Sequence, residues 1–239
     1  MLPKIEAPRY EVELPVSKQK LSFRPMLVKE QKVLLLAMEA DEPQFITNNI
    51  TQILQNCTLN DIDIDNLPLV DIEYYFLNLR ARSVGEEIES SYKCENIVDD
   101  GKKCGNLMDV KYKVLDVKIN IPEKQDVILI SDTVGVKMKY PTYAIIEKLK
   151  KMDSYVDVGF EFAINCIDYV FEGDNFYYIH ETPREEVIEF LESLTKDQFG
   201  KIEDFIMDLP TIEKTVNMTC SKCGFEHNIT VKALEDFFV

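Results

Sequence analysis

Alternating and helical spacings of apolar residues divide the first third of the chain into a hairpin and three helices. The segments YEVELP and KLSFRP alternate apolar and polar residues on either side of VSKQ, which predicts a β-hairpin. Apolar residues then recur at helical spacing over residues 28–39, from Pro43 to Cys57, and again after Pro68. Three helices that each have an apolar face would bury those faces against one another.

The rest of the chain mixes strand and helix patterns. The segments VKINIP, DVILIS and VGVKMKY have the period-two alternation of strands. Thr182 with Glu185, and Thr195 with Gln198, have the spacing of capping boxes that open helices. The helices predicted after these strands cover residues 142–151, 155–170, 183–193 and 196–208.

A C-x-x-C motif lies in the C-terminal segment TVNMTCSKCGFEHNITV, which spans residues 215–231. Alternating apolar residues on both sides of Cys220 and Cys223 predict two strands joined by a tight turn. A redox pair would instead be expected at the start of a helix that follows a buried strand. A turn of this kind, with Gly224 where the backbone needs a positive φ, points two sulfurs at one spot and forms half of a tetrahedral zinc site.

A second pair of cysteines has the same setting. Cys94 and Cys104 lie in SSYKCENIVDDGKKCGNLMDV, between two alternating segments, and Gly105 follows the second cysteine. Nine residues separate this pair where a zinc knuckle usually has two to four, so the loop ENIVDDGKK must bulge out and return. We therefore predict one structural zinc ion in a zinc ribbon that is split by a long insertion, with the ligands Cys94, Cys104, Cys220 and Cys223.

Other arrangements of these side chains remain open at the level of sequence. The four cysteines could form disulfides or stay as free thiols, although six cysteines in 239 residues are too few for a disulfide scaffold. His227 could replace one cysteine, but its position favours an exposed residue of a strand. Cys57 and Cys166 fall on apolar faces of predicted helices, where a cysteine packs as a small hydrophobic residue.

The zinc prediction sets the expected architecture. We expect an α+β protein with a mainly helical core, short antiparallel hairpins and a split zinc-ribbon-like site that joins two distant segments. Residues 1–85 would form an N-terminal hairpin with helices. Residues 86–119 and 211–235 would form the split zinc-ribbon-like module, and residues 120–210 would be the strands and helices inserted between its halves.

Charge and motifs limit the possible functions. The formal net charge is −16, so a phosphate backbone would be repelled and no nucleic acid is expected as a partner. Neither an 18-residue apolar run nor a basic segment followed by an apolar block occurs, so no membrane span or signal peptide is expected, and the chain is expected to be cytosolic.

The sequence also lacks the usual marks of an enzyme. No Gly-rich phosphate loop, G-x-S-x-G or H-E-x-x-H motif is present, and the chain has two histidines. A closed four-cysteine site leaves no position for a substrate or a catalytic water. We expect no enzyme, no catalytic residue and no small-molecule substrate; an enzyme that uses carboxylates would need a pocket that only a structure can reveal.

Several segments together resemble a known family. These are the opening LPKIEAPRYEVELPVSKQKLSFRPMLVKEQKVLLLAMEA, then RARSVGE, KYPTY and the closing TCSKCGFEHNITVKALEDFF. In this order and spacing they resemble the baseplate hub assembly proteins of T4-like contractile-tailed phages (myoviruses), over nearly the whole chain. The resemblance implies a structural or chaperone role in building the central hub of the baseplate, around which the wedges join before the tail tube grows.

The resemblance also has implications for site, partners and location. The cysteine pattern of the family maps onto the four predicted ligands, and the implied partners are other baseplate hub proteins. The implied location is the host cytoplasm during assembly, followed either by retention in the virion tail or by release. The alternative function is a zinc-ribbon regulator that binds nucleic acid or polymerase, which the net charge disfavours.

Overall fold

The computed structural model describes residues 5–39, 43–98, 101–149 and 152–232. The helices in these ranges are α1 Val28–Glu39, α2 Pro43–Cys57, α3 Leu69–Ser83, α4 Ala144–Leu149, α5 Tyr155–Cys166, α6 Arg184–Ser193 and α7 Lys196–Met207. The first strands are β1 Tyr10–Glu13, β2 Lys20–Phe23, β3 Glu87–Lys93, β4 Leu107–Lys113, β5 Lys118–Asn120 and β6 Val127–Leu129. The remaining strands are β7 Val134–Met138, β8 Ile167–Glu172, β9 Asn175–Tyr178, β10 Thr211–Thr219 and β11 Glu226–Val231. The end of the predicted helix at residues 150–151 and of the predicted zinc module at 233–235 lie outside the described residues.

The expected mainly helical core is wrong. The described residues contain seven helices and eleven strands. The strands form four antiparallel sheets, with the orders β1-β2, β3-β4, β11-β10-β5 and β6-β7-β8-β9.

The error has a local cause in the segment predicted to be helical up to residue 170. Helix α5 ends at Cys166, and Ile167–Glu172 continues as strand β8 because its β-branched and aromatic residues favour a pleated, half-buried surface. A turn at Gly173, whose φ is 57°, returns the chain as β9. The sheet therefore gains β8 at the end of a segment where a helix was expected, and β9 in a segment for which no element was predicted.

The N-terminal core lies between the first hairpin and helices α1 to α3. Phe23 of β2 contacts Tyr75 of α3 edge to face, with ring centroids 5.4 Å apart. Asp71, fully buried on α3, accepts hydrogen bonds from the backbone N–H groups of Val16 and Ser17, each at 2.8 Å. These bonds fix the hairpin turn onto the helix.

Helix α3 also contacts the cysteine-bearing hairpins through its opposite face. Leu77 and Ala81 of α3 pack with Ile88 of β3 and with Ile212 and Val216 of β10. Strand β10 pairs antiparallel with both β5 and β11. Because this shared core holds both hairpins against one helix, their turns come together at one end.

A separate sheet core forms from β6 to β9 and helices α5 to α7. Its polar centre is Glu161, which is 1% exposed and forms ion pairs with Lys148 of α4 and Arg184 of α6. Asn165 donates a further hydrogen bond to the Glu161 carboxylate at 3.1 Å. Glu161 thus joins three helices.

One of the two predicted capping boxes is present. Thr195 and Gln198 bond reciprocally at the start of α7, as predicted. Helix α6 instead follows Pro183 without a side-chain cap, because the hydroxyl of Thr182 donates to the carbonyl of Tyr178 at 2.8 Å. No helix in the described part of the chain is long and apolar enough to cross a membrane.

Candidate metal centre

Two hairpin ends deliver the four predicted ligands to one place. Cys94 directly follows β3 and Cys104 lies shortly before β4. Cys220 directly follows β10, and Cys223 lies in the turn that leads to β11. All four sulfur atoms lie within 4.8 Å of one another.

The two turns share the same backbone hydrogen bonds. In the first turn the N–H of Cys94 donates to the carbonyl of Asn106 (2.8 Å), and the N–H of Gly105 donates to the carbonyl of Cys94 (2.9 Å). In the second turn Cys220 donates to Phe225 (2.9 Å), and Gly224 donates to Cys220 (2.9 Å). In each turn these are the residues two and one after the second cysteine, so the first turn has knuckle geometry despite its long interval.

Both glycines have the conformation that the sequence predicts. Their φ angles are 68° at Gly105 and 72° at Gly224, in the left-handed region that a side chain disfavours. A residue with a Cβ at either position would strain the turn that aims the sulfurs.

The described residues at the two ends of the interval between Cys94 and Cys104 pair with each other. Ile97 and Lys103 form a β-bridge, and the N–H of Val98 donates to the carbonyl of Lys102 at 3.0 Å. The N–H of Cys104 donates to the carbonyl of Asn96 at 2.7 Å. Because these bonds hold the two ends of the interval together, Cys104 lies beside the other three cysteines.

Two of the sulfur–sulfur distances match the edge of a tetrahedral zinc site and are too long for disulfide bonds. The Sγ atoms of Cys94 and Cys223 are 3.6 Å apart, and those of Cys104 and Cys220 are 3.8 Å apart. A tetrahedron with Zn–S bonds of about 2.3 Å has edges of about 3.8 Å, whereas a disulfide bond is about 2.05 Å long. All four cysteines are free thiols; three are buried and Cys223 is partly exposed.

Two asparagine side chains donate hydrogen bonds to the sulfurs. The amide of Asn96 donates to Sγ of Cys223 at 3.6 Å, and the amide of Asn106 donates to Sγ of Cys220 at 3.5 Å. Such donors orient metal ligands and disperse the charge of thiolates. The sequence analysis missed both residues, although C-x-N recurs at Cys94 and Cys104 and could have indicated them.

His227 lies at the edge of the site. It was weighed as a replacement ligand or, preferably, an exposed strand residue; it is a half-buried residue of β11. Its Nε2 is 3.2 Å from Sγ of Cys94, and its ring packs edge to face on Phe225 with centroids 4.8 Å apart. The imidazole therefore contacts one sulfur from outside the group of four.

The pKa of Cys94 in the first turn and those of Cys220 and Cys223 in the second are shifted in opposite directions. Backbone N–H groups of the second turn, that of Cys223 foremost, lower the pKa of Cys220 to about 6. The N–H of Phe225 likewise lowers the pKa of Cys223. Burial raises the pKa of Cys94 to about 12. The second turn thus favours the thiolate that metals bind, and an ion would have to displace the proton of Cys94.

The other two cysteines lie in apolar cores, as predicted. Cys57 belongs to the N-terminal core and Cys166 to the sheet core, and both are fully buried. Burial raises the pKa of Cys57 to about 11 and that of Cys166 to about 12, which keeps both thiols protonated.

Comparison with known proteins gives a family for the chain. A family model described as the T4 bacteriophage base plate protein matches residues 7–239, a range that includes both cysteine-bearing turns. No curated protein and no solved structure matches the chain.

Proposed function

The chain belongs to the T4 bacteriophage base plate protein family, and from this membership we propose that it acts as a component or assembly factor of the baseplate hub. The observation that carries the proposal is the continuity of the match from residue 7 to residue 239. The match covers nearly the entire chain, including both cysteine-bearing turns. The choice of the hub rests on the four segments that resemble hub assembly proteins.

We further propose that one zinc ion, bound by Cys94, Cys104, Cys220 and Cys223, stabilises this fold. Four thiolates in a tetrahedral arrangement are typical of structural zinc, and they leave no open position for catalysis. When bound, the ion would act as a cross-link between the two hairpins. Structural zinc sites bind with about 10 kcal/mol or more in zinc-finger peptides, so this site would decide whether the two hairpins stay together.

The division of the chain follows from this cross-link. Residues 86–119 and 211–235 would form one split zinc-ribbon-like module, and residues 120–210 would be an insertion tied at both ends to that module. Residues 1–85 would support it through helix α3. The expected location during assembly is the host cytoplasm, with other hub proteins as partners.

The net charge of the chain predicts the charge of the partner surfaces that it binds. A chain with a formal charge of −16 would be steered towards basic surfaces and away from other acidic ones. We therefore expect at least one partner in the hub to present a basic patch.

A tagged copy of the chain, purified from infected cells, tests the proposal. We expect mass spectrometry to identify hub proteins of the same phage among the co-purifying proteins. Detection of the chain in purified virions would make it a component, and its absence there would make it an assembly factor. Recovery of wedge proteins alone, or of polymerase subunits, would contradict a hub role.

A further inference from the structure

An apolar groove of about 760 Å³ lies between α5 and α7, and none of the four clustered cysteines lines it. The rings of Phe160 and Phe199 line it; they stack with centroids 5.4 Å apart and pack on the sheet core. From this groove we infer a docking site for an amphipathic helix of a partner protein, with basic residues beside its apolar face. The inference rests on the proposed function in that the partner is taken to be another baseplate protein.

Several apolar side chains at the rim of the groove are largely exposed to solvent. Tyr155 is 95% exposed, Val156 69% and Met207 85%, and all three line the groove. Single exposed apolar residues are common on protein surfaces, but several around one groove indicate an interaction surface. A partner that fills the groove would remove these side chains from water.

The dimensions and the walls of the groove fit a helix. It is lined by residues 155–162 of α5 and 199–207 of α7, which at 1.5 Å per residue gives a length of about 10–12 Å, or two helical turns. The backbone groups in the middle of α5 and α7 are bonded within their own helices, so an extended peptide would find no backbone partners there. A helix carries its own backbone bonds and can bury an apolar face against these walls.

The acidic residues of the groove favour a basic helix as its occupant and disfavour a second copy of this acidic chain. Glu203 and Asp204 are the charged residues among the described ones that line the groove, and both are acidic. A second copy would bring another chain of charge −16 to the same place. A helix with lysine or arginine beside its apolar face would complement the groove.

Gly159 offers a substitution that fills the groove without disturbing the fold. A Cβ atom built at Gly159 meets no atom within 4 Å, and the residue lies in α5 on the lining of the groove. Since glycine is a poor helix former, replacing it should not weaken α5. Gly200 of α7 is the matched control, because its Cβ would also meet open space but the residue does not line the groove.

The test is a photo-cross-link formed in infected cells. The cross-linking residue p-benzoylphenylalanine replaces Met207 in the tagged full-length chain, and mass spectrometry identifies the attached segment. We expect a segment of another baseplate protein with apolar residues at helical spacing and basic residues beside them. Gly159→Trp should lower the cross-link yield by about tenfold or more, the size of effect that loss of a central contact has, whereas Gly200→Trp should leave it unchanged.

The possible outcomes separate this inference from the proposed function. A cross-link to a second copy, to an acidic or non-helical segment, or with a yield that Gly159→Trp does not change would overturn the inference. If the tagged chain still co-purifies with hub proteins in that case, the hub role stands without the groove. If neither the cross-link nor the hub proteins are found, both proposals fail.

Discussion

Cys94 and Cys220 occupy equivalent positions in the two turns. Nine residues separate Cys94 from Cys104, whereas two separate Cys220 from Cys223. The meeting of the four cysteines was predictable because each turn combines alternating flanks with a glycine after the second cysteine. The roles of Asn96 and Asn106 were harder to predict, because an asparagine near a cysteine is common and only the folded turn shows that its amide reaches a sulfur.

The four clustered cysteines predict the metal content of the purified protein. Protein purified without chelators should hold one zinc ion per chain, measured by elemental mass spectrometry. Cys220→Ser and Cys104→Ser should each release it and lower the midpoint of thermal unfolding, because removal of one thiolate opens the tetrahedral site. Iron in place of zinc, or no metal in the wild-type chain, would contradict the zinc assignment.

Cys166→Ala is the control for those variants. Its thiol is buried in the sheet core, so its truncation should cost about 1–2 kcal/mol of stability as a small cavity. The zinc content should stay at that of the wild-type chain. Loss of zinc from this variant would mean that general destabilisation, rather than ligand removal, explains the cysteine-to-serine results.

Glu161 gives a prediction about pH. Burial alone would raise the pKa of this carboxyl, but hydrogen bonds from Arg184 and Lys148 outweigh burial and lower the pKa to about 2. The folded-state pKa therefore lies below the ordinary value near 4.5, so the ionised carboxylate stabilises the fold above that value and this stabilisation is lost as the pH falls towards 2.

The variant Glu161→Gln removes this contribution. Allowing for water around the half-exposed Lys148 and Arg184, we expect a loss of about 2 kcal/mol at pH 7 in urea unfolding, shrinking as the pH falls below about 4.5. Glu86→Gln is the control, since its ion pair with Arg82 is exposed and should contribute less than about 0.5 kcal/mol. The role assigned to the carboxylate would be contradicted if the wild-type chain and Glu161→Gln differed in free energy of unfolding by the same amount at pH 7 and at pH 3.

Among the elements, long periodic segments were predicted well, and so were strands β6 and β7, whereas the other two strands of their sheet were not. Helices α1 and α2 lie where helical spacing placed them. Strands β8 and β9 were missed, because Ile167–Glu172 continues the apolar character of α5 and short apolar runs fit either a helix or a strand. The Gly173 turn between aromatic segments was the available signal.

The contact between the first hairpin and α3 gives a prediction for these elements. Asp71→Ala would leave the N–H groups of Val16 and Ser17 without their acceptors, so we expect a loss of about 2 kcal/mol in denaturant unfolding. Asp71→Asn keeps one acceptor oxygen and should lose about half as much. Equal stability of the wild-type chain and Asp71→Ala would mean that water replaces the carboxylate at no cost.

For the molecule as a whole, the sequence indicated that two distant segments share a site but overstated the helices. Strand β10 pairs with β5 and packs against α3. Both contacts join segments about a hundred residues apart, which local periodicity does not encode. Periodicity describes which face of an element is apolar, and it does not say which distant element covers that face.

The charge of the whole chain gives a prediction about nucleic acid. With a formal charge of −16, the purified protein should retain no double-stranded DNA in filter binding at ~0.15 M salt. Binding that weakens steeply as salt rises would favour the alternative of a zinc-ribbon regulator. The same result would weaken the assignment to the hub.

The most direct test of the hub role uses a phage with a nonsense mutation in the gene for this chain, with lysates separated by sedimentation. We expect wedges to accumulate while hubs and complete baseplates are missing. The wild-type chain and Cys166→Ala, supplied in trans, should restore baseplates, whereas Cys220→Ser should not. Complete baseplates without the chain, or a defect in the wedges instead of the hub, would contradict the account.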